Sequence, residues 1–199
     1  MMLQILPALL TFAFVTSVTP GPNNMMLMSS GANFGFRRTV PHMLGIAIGF
    51  TAMVFLVGVG LTGVLLAEPR LAKALALVSV LYMLWLAWKI AHAAPPEASE
   101  TKARPLTFLQ AAAFQWVNPK AWAMALSACA LYAPDQTARA VGFVAVVFGA
   151  VNLPSVSVWA AMGQGLRRVL TDRRRLVAFN WTMAGLLVLS MLPALPELF

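Results

Sequence analysis

Charged residues fall in short patches between long apolar runs. Residues 1–36, 39–67, 74–88, 105–119, 121–134, 140–166 and 176–196 contain no Asp, Glu, Lys or Arg. A membrane span needs ~20 mostly apolar residues, so the pattern predicts an all-α integral membrane protein with about six transmembrane helices. The first apolar stretch starts at Leu3, meets Thr19-Pro-Gly-Pro-Asn-Asn24 and continues to Phe36. A straight helix of that length, at ~1.5 Å per residue, overshoots a ~30 Å hydrocarbon core. It is therefore one long, broken and tilted helix, or a span plus a re-entrant piece. Further spans are expected over residues 40–67, 71–93, 106–133, 138–162 and 176–196. The fourth is interrupted at Asn118-Pro119-Lys120. Tyr82, Trp85 and Trp88 form an expected interfacial aromatic belt on the third.

The two interruptions occupy matching places. Pro22 and Pro119 lie 97 positions apart, each in the first span of a three-span half, and Gly45 and Gly142 share that offset. The domain reading is a first repeat over 1–93, a cytoplasmic linker over 94–105 and a second repeat over 106–199, together one transport domain. Three spans are an odd number, so the halves run inverted through the membrane, a 3+3 inverted repeat with helices 1 and 4 broken near the midplane. Paired broken helices in inverted halves point to a transporter's central site.

Composition sharpens this picture. The chain is 60% hydrophobic, against roughly 45–50% for soluble domains, which excludes a separate soluble catalytic domain. The net charge of +8 is divided among the gaps between apolar runs and forms no continuous basic face, so no nucleic-acid partner is expected. Ten of the 14 basic residues, including Arg37, Arg38 and the run from Arg167 to Arg175, fall on one side of a six-span topology. The positive-inside rule puts that side in the cytoplasm and both termini outside, in the periplasm of a bacterial inner membrane. With one cysteine, Cys129, no internal disulfide and no thiolate metal cage are available, and the residue reads as a packed small hydrophobe. The amino terminus has no Lys or Arg before its apolar stretch, so a cleavable signal peptide is not expected.

The breaks carry the candidate chemistry. Pro20 and Pro22 lack backbone N–H groups, so the carbonyls of Thr16 and Val18 lose their helical partners. Such groups in hydrocarbon cost several kcal/mol each unless protein, water or solute fills the gap. Gly21 lets another group approach the backbone. Asn23 is expected to cap the second half-helix, leaving N–H groups and partial positive charge at its start. In the fourth span Asn118 is a good N-cap and Pro119 a good first helical residue.

Lys120 then stands near the midplane, where a lysine costs roughly 2.5–3.5 kcal/mol, and at the wrong end of its own half-helix for a cation. A bound carboxylate relieves both penalties. The alternative is a lysine that snorkels, or one bonded to freed carbonyls such as those of Phe114 or Gln115. Asn24, Gln115 and Asn152 are further substrate-binding candidates. Asn180 and Gln4 read as helix ties. No acid lies deep in a span, so Lys120 is the one obvious titrating group at depth if transport is proton-coupled. His42 and His92 read as interfacial. The Gly31/Gly35 and Gly45/Gly49 pairs suit close helix packing; they allow a homodimer without requiring one.

TPGPNNMMLMSSGANFGFRR at Thr19–Arg38, LGIAIGF at Leu44–Phe50, YMLWLAWKIA at Tyr82–Ala91 and FQWVNPKAWAM at Phe114–Met124 together resemble the motifs of the lysine-exporter/homoserine-threonine-exporter family of bacterial amino-acid efflux proteins. The likeness covers nearly the whole chain, and TPGPNN…SS…GFR with WLAWKIA looks most like the branch exporting cysteine and O-acetylserine. The resemblance implies a secondary exporter of small amino acids or their derivatives, driven by proton antiport, with no cofactor or metal and no enzymatic reaction. It places Pro20, Gly21, Pro22 and Asn23, with Asn118, Pro119 and Lys120, at the centre. Some relatives carry an Asp near the position of Asn152, so the proton site is left open. Transport of another small anion or metabolite by the same architecture is the alternative. A membrane-embedded enzyme is disfavoured by two separate histidines, one cysteine and no intramembrane acid.

Overall fold

The computed structural model describes residues 2–61, 68–93, 104–133 and 135–190. Those residues are helical, with short connections. Helix α1 (Met2–Val18) and α2 (Pro22–Phe34) are the two halves of the first broken segment. Then come α3 (Phe36–Leu56), which runs on into a π-helical turn at Val57–Leu61, and α4 (Pro69–Ala91). The second broken segment is α5 (Phe108–Phe114), a 3-10 turn at Gln115–Val117 and α6 (Pro119–Tyr132). Helices α7 (Ala138–Leu166) and α8 (Arg173–Leu189) complete the described chain. The expected linker over 94–105 lies outside the described residues except for its last two.

Three of these helices are long and apolar enough to cross a membrane: Phe36–Gly60, Lys73–Ala91 and Ala138–Leu166. Gln4–Val18 with Pro22–Phe34, bent by 56°, makes a fourth if the pair is one span. The other expected spans fall short of that length among the described residues. α5 and α6 are separate pieces of 7 and 14 residues, and α8 has 17. α4 turns Leu77, Leu81, Leu84, Trp85 and Trp88 outward. A helix apolar on its outer face requires an apolar solvent.

Local chemistry sets the boundaries. Thr107 caps α5 in a full capping box with Gln110, and Thr137 and Asp172 cap α7 and α8 through their side chains. Between α2 and α3 the chain reverses at Gly35, where φ is +81°, a conformation that disfavours any side chain. The second span therefore begins at Phe36, not at residue 40, and Gly35 is a turn residue and not a packing one.

The other glycines of the expected pairs do pack. A Cβ on Gly45 would meet the Phe108 carbonyl, and one on Gly49 would meet Ala112, so α3 and α5 touch backbone to backbone. Gly31 lies against the carbonyl of Ala160, and Gly163 against that of Met28, which brings α2 and α7 equally close. Gly142, the counterpart of Gly45, has only Phe55 at 3.9 Å and serves no such contact. Gly31, Gly45 and Gly49 are thus engaged within one chain.

Three apolar clusters surround the broken helices. The largest joins α1, α3, α6 and α7 through Leu9, Phe50, Ala125 and Phe148. A second joins α2, α4, α5 and α8 through Met26, Leu86, Phe114 and Leu187. A third sets Leu27 and Ile46 against Ala111, Val156 and Ala160. Asn180 is fully buried, pairs with Asn33 (2.9 and 3.3 Å) and bonds the Ala93 carbonyl, tying α2 to α8. Gln4, assigned the same role, is exposed at the start of α1.

Candidate functional site

α1 ends because proline cannot continue it, and each carbonyl freed there finds a donor. Thr19 Oγ1 donates to the Thr16 carbonyl at 3.0 Å. Asn24 Nδ2 donates to the carbonyls of Ser17 and Thr19 at 2.9 and 2.8 Å. Trp159 of α7 reaches across with Nε1 to the Val18 carbonyl at 3.1 Å. The orphan groups expected from Pro20 and Pro22 exist, and protein side chains satisfy them.

α2 starts from Gly21, which is extended and gives no side-chain cap. Asn23 is inside the helix and not its cap, contrary to expectation. Its amide pairs reciprocally with Gln115 at 2.8 and 3.2 Å, while Gln115 also donates to the Ala111 carbonyl at 2.9 Å. This pair joins the first break to the second. The second break follows the expected local chemistry. Asn118 Oδ1 accepts from the Lys120 backbone N–H at 3.1 Å, and Pro119 is the first helical residue.

Lys120 crosses to the other break. Its Nζ donates to the Thr19 carbonyl at 2.6 Å, to Thr19 Oγ1 at 3.0 Å and to the Pro20 carbonyl at 3.4 Å. The ammonium thus occupies the C-terminal end of α1, where helix carbonyls favour a cation. The carbonyls it takes, those of Thr19 and Pro20, follow directly on α1 in the first break and are not those of Phe114 or Gln115. Its side chain lies across Gly21: a Cβ there would stand 2.6 Å from Lys120 Cδ and 3.1 Å from Nζ. Since Gly21 has ordinary extended dihedrals, space rather than backbone strain demands the glycine.

A small cavity of about 20 Å³ opens between the breaks, bordered by Gly21, Asn23, Asn24, Asn118, Lys120 and Asn152. That is room for about one water molecule. The first turns of α2 and α6 both border it, and N–H groups in a first turn lack intrahelical partners. Asn152 is buried, donates through Nδ2 to Ser17 Oγ at 3.1 Å, and leaves Oδ1 with no hydrogen-bond partner. Phe50, Met124 and Val156 supply the apolar wall.

Ten residues were singled out as substrate-binding. Six of them border the cavity, while Pro20, Pro22, Gln115 and Pro119 do not and instead shape the breaks. Sequence reasoning missed Thr16, Ser17 and Trp159. A tryptophan seven residues after Asn152, and so on the same helical face, was the available signal for the last. His42 is not interfacial as expected. It is only 2% exposed, and neither ring nitrogen has a partner. His92 is exposed at the end of α4, between Trp88 and Trp181. Cys129 is buried, its Sγ 3.5 Å from the Val54 carbonyl.

The family model described as LysE type translocator matches residues 14–191. A cysteine/O-acetylserine efflux protein of Escherichia coli is 29% identical over 187 residues, covering 92% of this chain and 94% of the relative. One of the same name from Klebsiella pneumoniae subsp. pneumoniae is 27% identical over 186 residues, covering 92% and 93%. No solved structure matches. The apolar helices, the two interruptions and a family match across both of them agree, and the chain belongs to the LysE type translocator family, membrane transporters and not enzymes.

Proposed function

We propose that this protein is a secondary active exporter of small amino acids or their derivatives, of the cysteine and O-acetylserine kind, working by proton antiport across the bacterial inner membrane. The relatives' names support the substrate class. The observation that carries the reading is Lys120 held between two helix breaks beside a cavity that also borders an unsatisfied Asn152. A zwitterion entering there parts Lys120 from Thr19. Its carboxylate takes the ammonium and the first-turn N–H groups of α2 and α6, and its own ammonium takes the freed carbonyl and Asn152 Oδ1. The exchange leaves every strong donor and acceptor matched, which a simple anion does not achieve. Once the cavity, which now has room for about one water, opens to admit the substrate, a small side chain would face Phe50, Met124 and Val156.

The architecture we assign is the six-span, 3+3 inverted repeat, with both termini periplasmic and Arg37, Arg38 and Arg167–Arg175 cytoplasmic. In support, α3 crosses α7 where Thr51 meets Gly149 and the rings of Phe50 and Phe148 stand 5.1 Å apart. Both contacting pairs are 98 positions apart, one more than the 97-residue offset, so the crossing lies beside equivalent positions, as a two-fold axis near it would give. Export then proceeds by rocking one half against the other about the Lys120 site.

The test is counterflow in proteoliposomes loaded with serine, cysteine or O-acetylserine. Uptake of labelled substrate is expected in the wild type and is lost in Lys120→Ala protein that elutes as a folded species. Normal counterflow by that variant removes the site. Equal competition by acetate and by the amino acid favours a small-anion carrier instead.

A further inference from the structure

Among the described residues, His42 is the most buried ionisable side chain that the substrate site does not use. It lies on the buried face of α3, with Gly45, Ile46 and Gly49 on the same side. Those neighbours place it. Gly45 and Gly49 press on α5, and Ile46 packs with Leu27 of α2 and Val156 and Ala160 of α7. One turn before it, Thr39 and Ser30 share a buried hydrogen bond of 2.8 Å. His42 is therefore in the seam where α2, α3, α5 and α7 close, between the cavity and the end of the bundle carrying Arg37 and Arg38. Phe50, which borders the cavity, is eight residues further along α3, or ~12 Å at helical rise.

A neutral imidazole buried with two unpartnered nitrogens is costly, and a charged one there is far more so. No acid faces it. α2, α5 and the 3-10 turn carry no ionisable side chain, and α7 offers only Arg139 in its first turn. α6 contributes Lys120 at the cavity, with Cys129 and Tyr132 beyond it. Arg37 and Arg38 on its own helix, and Arg167, which approaches Gly35 at the end of α7, are all cations. The closed seam has a place for the imidazole and none for the imidazolium.

We propose that His42 is the proton-carrying residue of the transport cycle: its proton forces the α2–α3–α7 seam open, and the seam recloses only after that proton has left. The proposal rests on the antiport reading above. A proton arriving from the periplasm through the cavity charges His42, the seam opens to the cytoplasm, the proton departs, substrate enters, and the neutral imidazole permits closure. One proton moves inward for each substrate that moves out, and no bond other than N–H is made or broken.

The experiment compares counterflow without a gradient and accumulation driven by a pH gradient, in wild type, His42→Gln and His42→Leu proteoliposomes. In the wild type a gradient directed against the substrate flux is expected to raise accumulation several-fold. Both variants should keep counterflow within about twofold and lose the gradient's effect. Retained stimulation in either folded variant overturns the proposal, as does loss of counterflow in both while they remain monodisperse. A wild type that runs counterflow but ignores the gradient overturns it too, yet leaves the Lys120 site standing. If neither variant folds, the His42 ring signal of the wild type decides. The protein has two histidines, so ring NMR signals are assigned with His92→Gln. A His42 signal that moves with pH between 5 and 8 without serine, and is held at its neutral position by saturating serine, supports the carrier role, and one that moves alike in both overturns it. One that stays fixed with and without serine refutes it.

Discussion

Lys120 Nζ donates to the carbonyl oxygen of Thr19 at 2.6 Å, across 101 positions of sequence and from one helix break to the other. The contact resolves a problem that either residue has alone. An ammonium at the start of α6 lacks a counter-charge, and the Thr19 carbonyl just past α1 otherwise has only the Asn24 amide as donor. Lys120→Met keeps the bulk and removes the charge, so the Thr19 carbonyl and, in the proposed site, the substrate carboxylate lose their partner. Counterflow is expected to fall at least 100-fold. Lys120→Arg should fall about 10-fold, because a planar fork does not fit where a compact ammonium does. Initial rates at matched protein density check both, and a fully active Lys120→Met would sink the site.

Gly21→Ala tests how closely that lysine must lie against the backbone. The new methyl would come within 2.6 Å of Lys120 Cδ, so the flexible lysine must swing aside. Folding should change little, since Gly21 has extended dihedrals open to any residue. The substrate KM is expected to rise about 5- to 20-fold with a smaller change in maximal rate. An unchanged KM would show that the lysine works equally well from a displaced position.

Trp159→Phe keeps most of the packing and deletes the donor to the Val18 carbonyl. Leaving this half-buried carbonyl unsatisfied costs at most about 1–3 kcal/mol. For a chain of this size that lowers Tm by about 2–12 °C. Thermal unfolding in detergent, with the exposed Trp181→Phe as control, measures the difference. Equal Tm values for the two variants would mean that water replaces the indole.

The sequence exposed the apolar runs, both breaks and the Asn118 cap because each depends on residues adjacent in the chain. Proline at 20, 22 and 119 dictates a local interruption wherever the helix ends up. What remained hidden depends on neighbours distant in sequence. Asn23 looked like a cap, yet Gln115 claims its amide from 92 positions away. Lys120 seemed to need an anion because the end of α1 could not be placed beside it from spacing alone. His42 looked interfacial because it follows Arg37 and Arg38 closely, but helical phase turns it inward, onto the face shared with Gly45 and Ile46. In a helix apolar on every side, periodicity does not say which face is inward.

The close approach of α2 to α7 gives the sharpest separation of packing from function. A Cβ on Gly163 would fall on the Met28 carbonyl, and one on Gly31 on the Ala160 carbonyl, so neither position accepts a side chain unless two backbones part. Backbone in a packed helix does not rotate away as a lysine tip does. Gly163→Val should therefore hold this seam ajar. Gly165, two residues on, has open space around its Cβ position, and Gly165→Val is the matched control. With Cys129→Ala as background and Ser30→Cys as reporter, the reporter is buried in the closed seam. A membrane-impermeant thiol reagent should label it about 10-fold faster with Gly163→Val than with Gly165→Val, while counterflow drops because the seam cannot close. Equal labelling with intact transport would mean that α2 and α7 do not form a closing contact, and that the glycines serve packing alone.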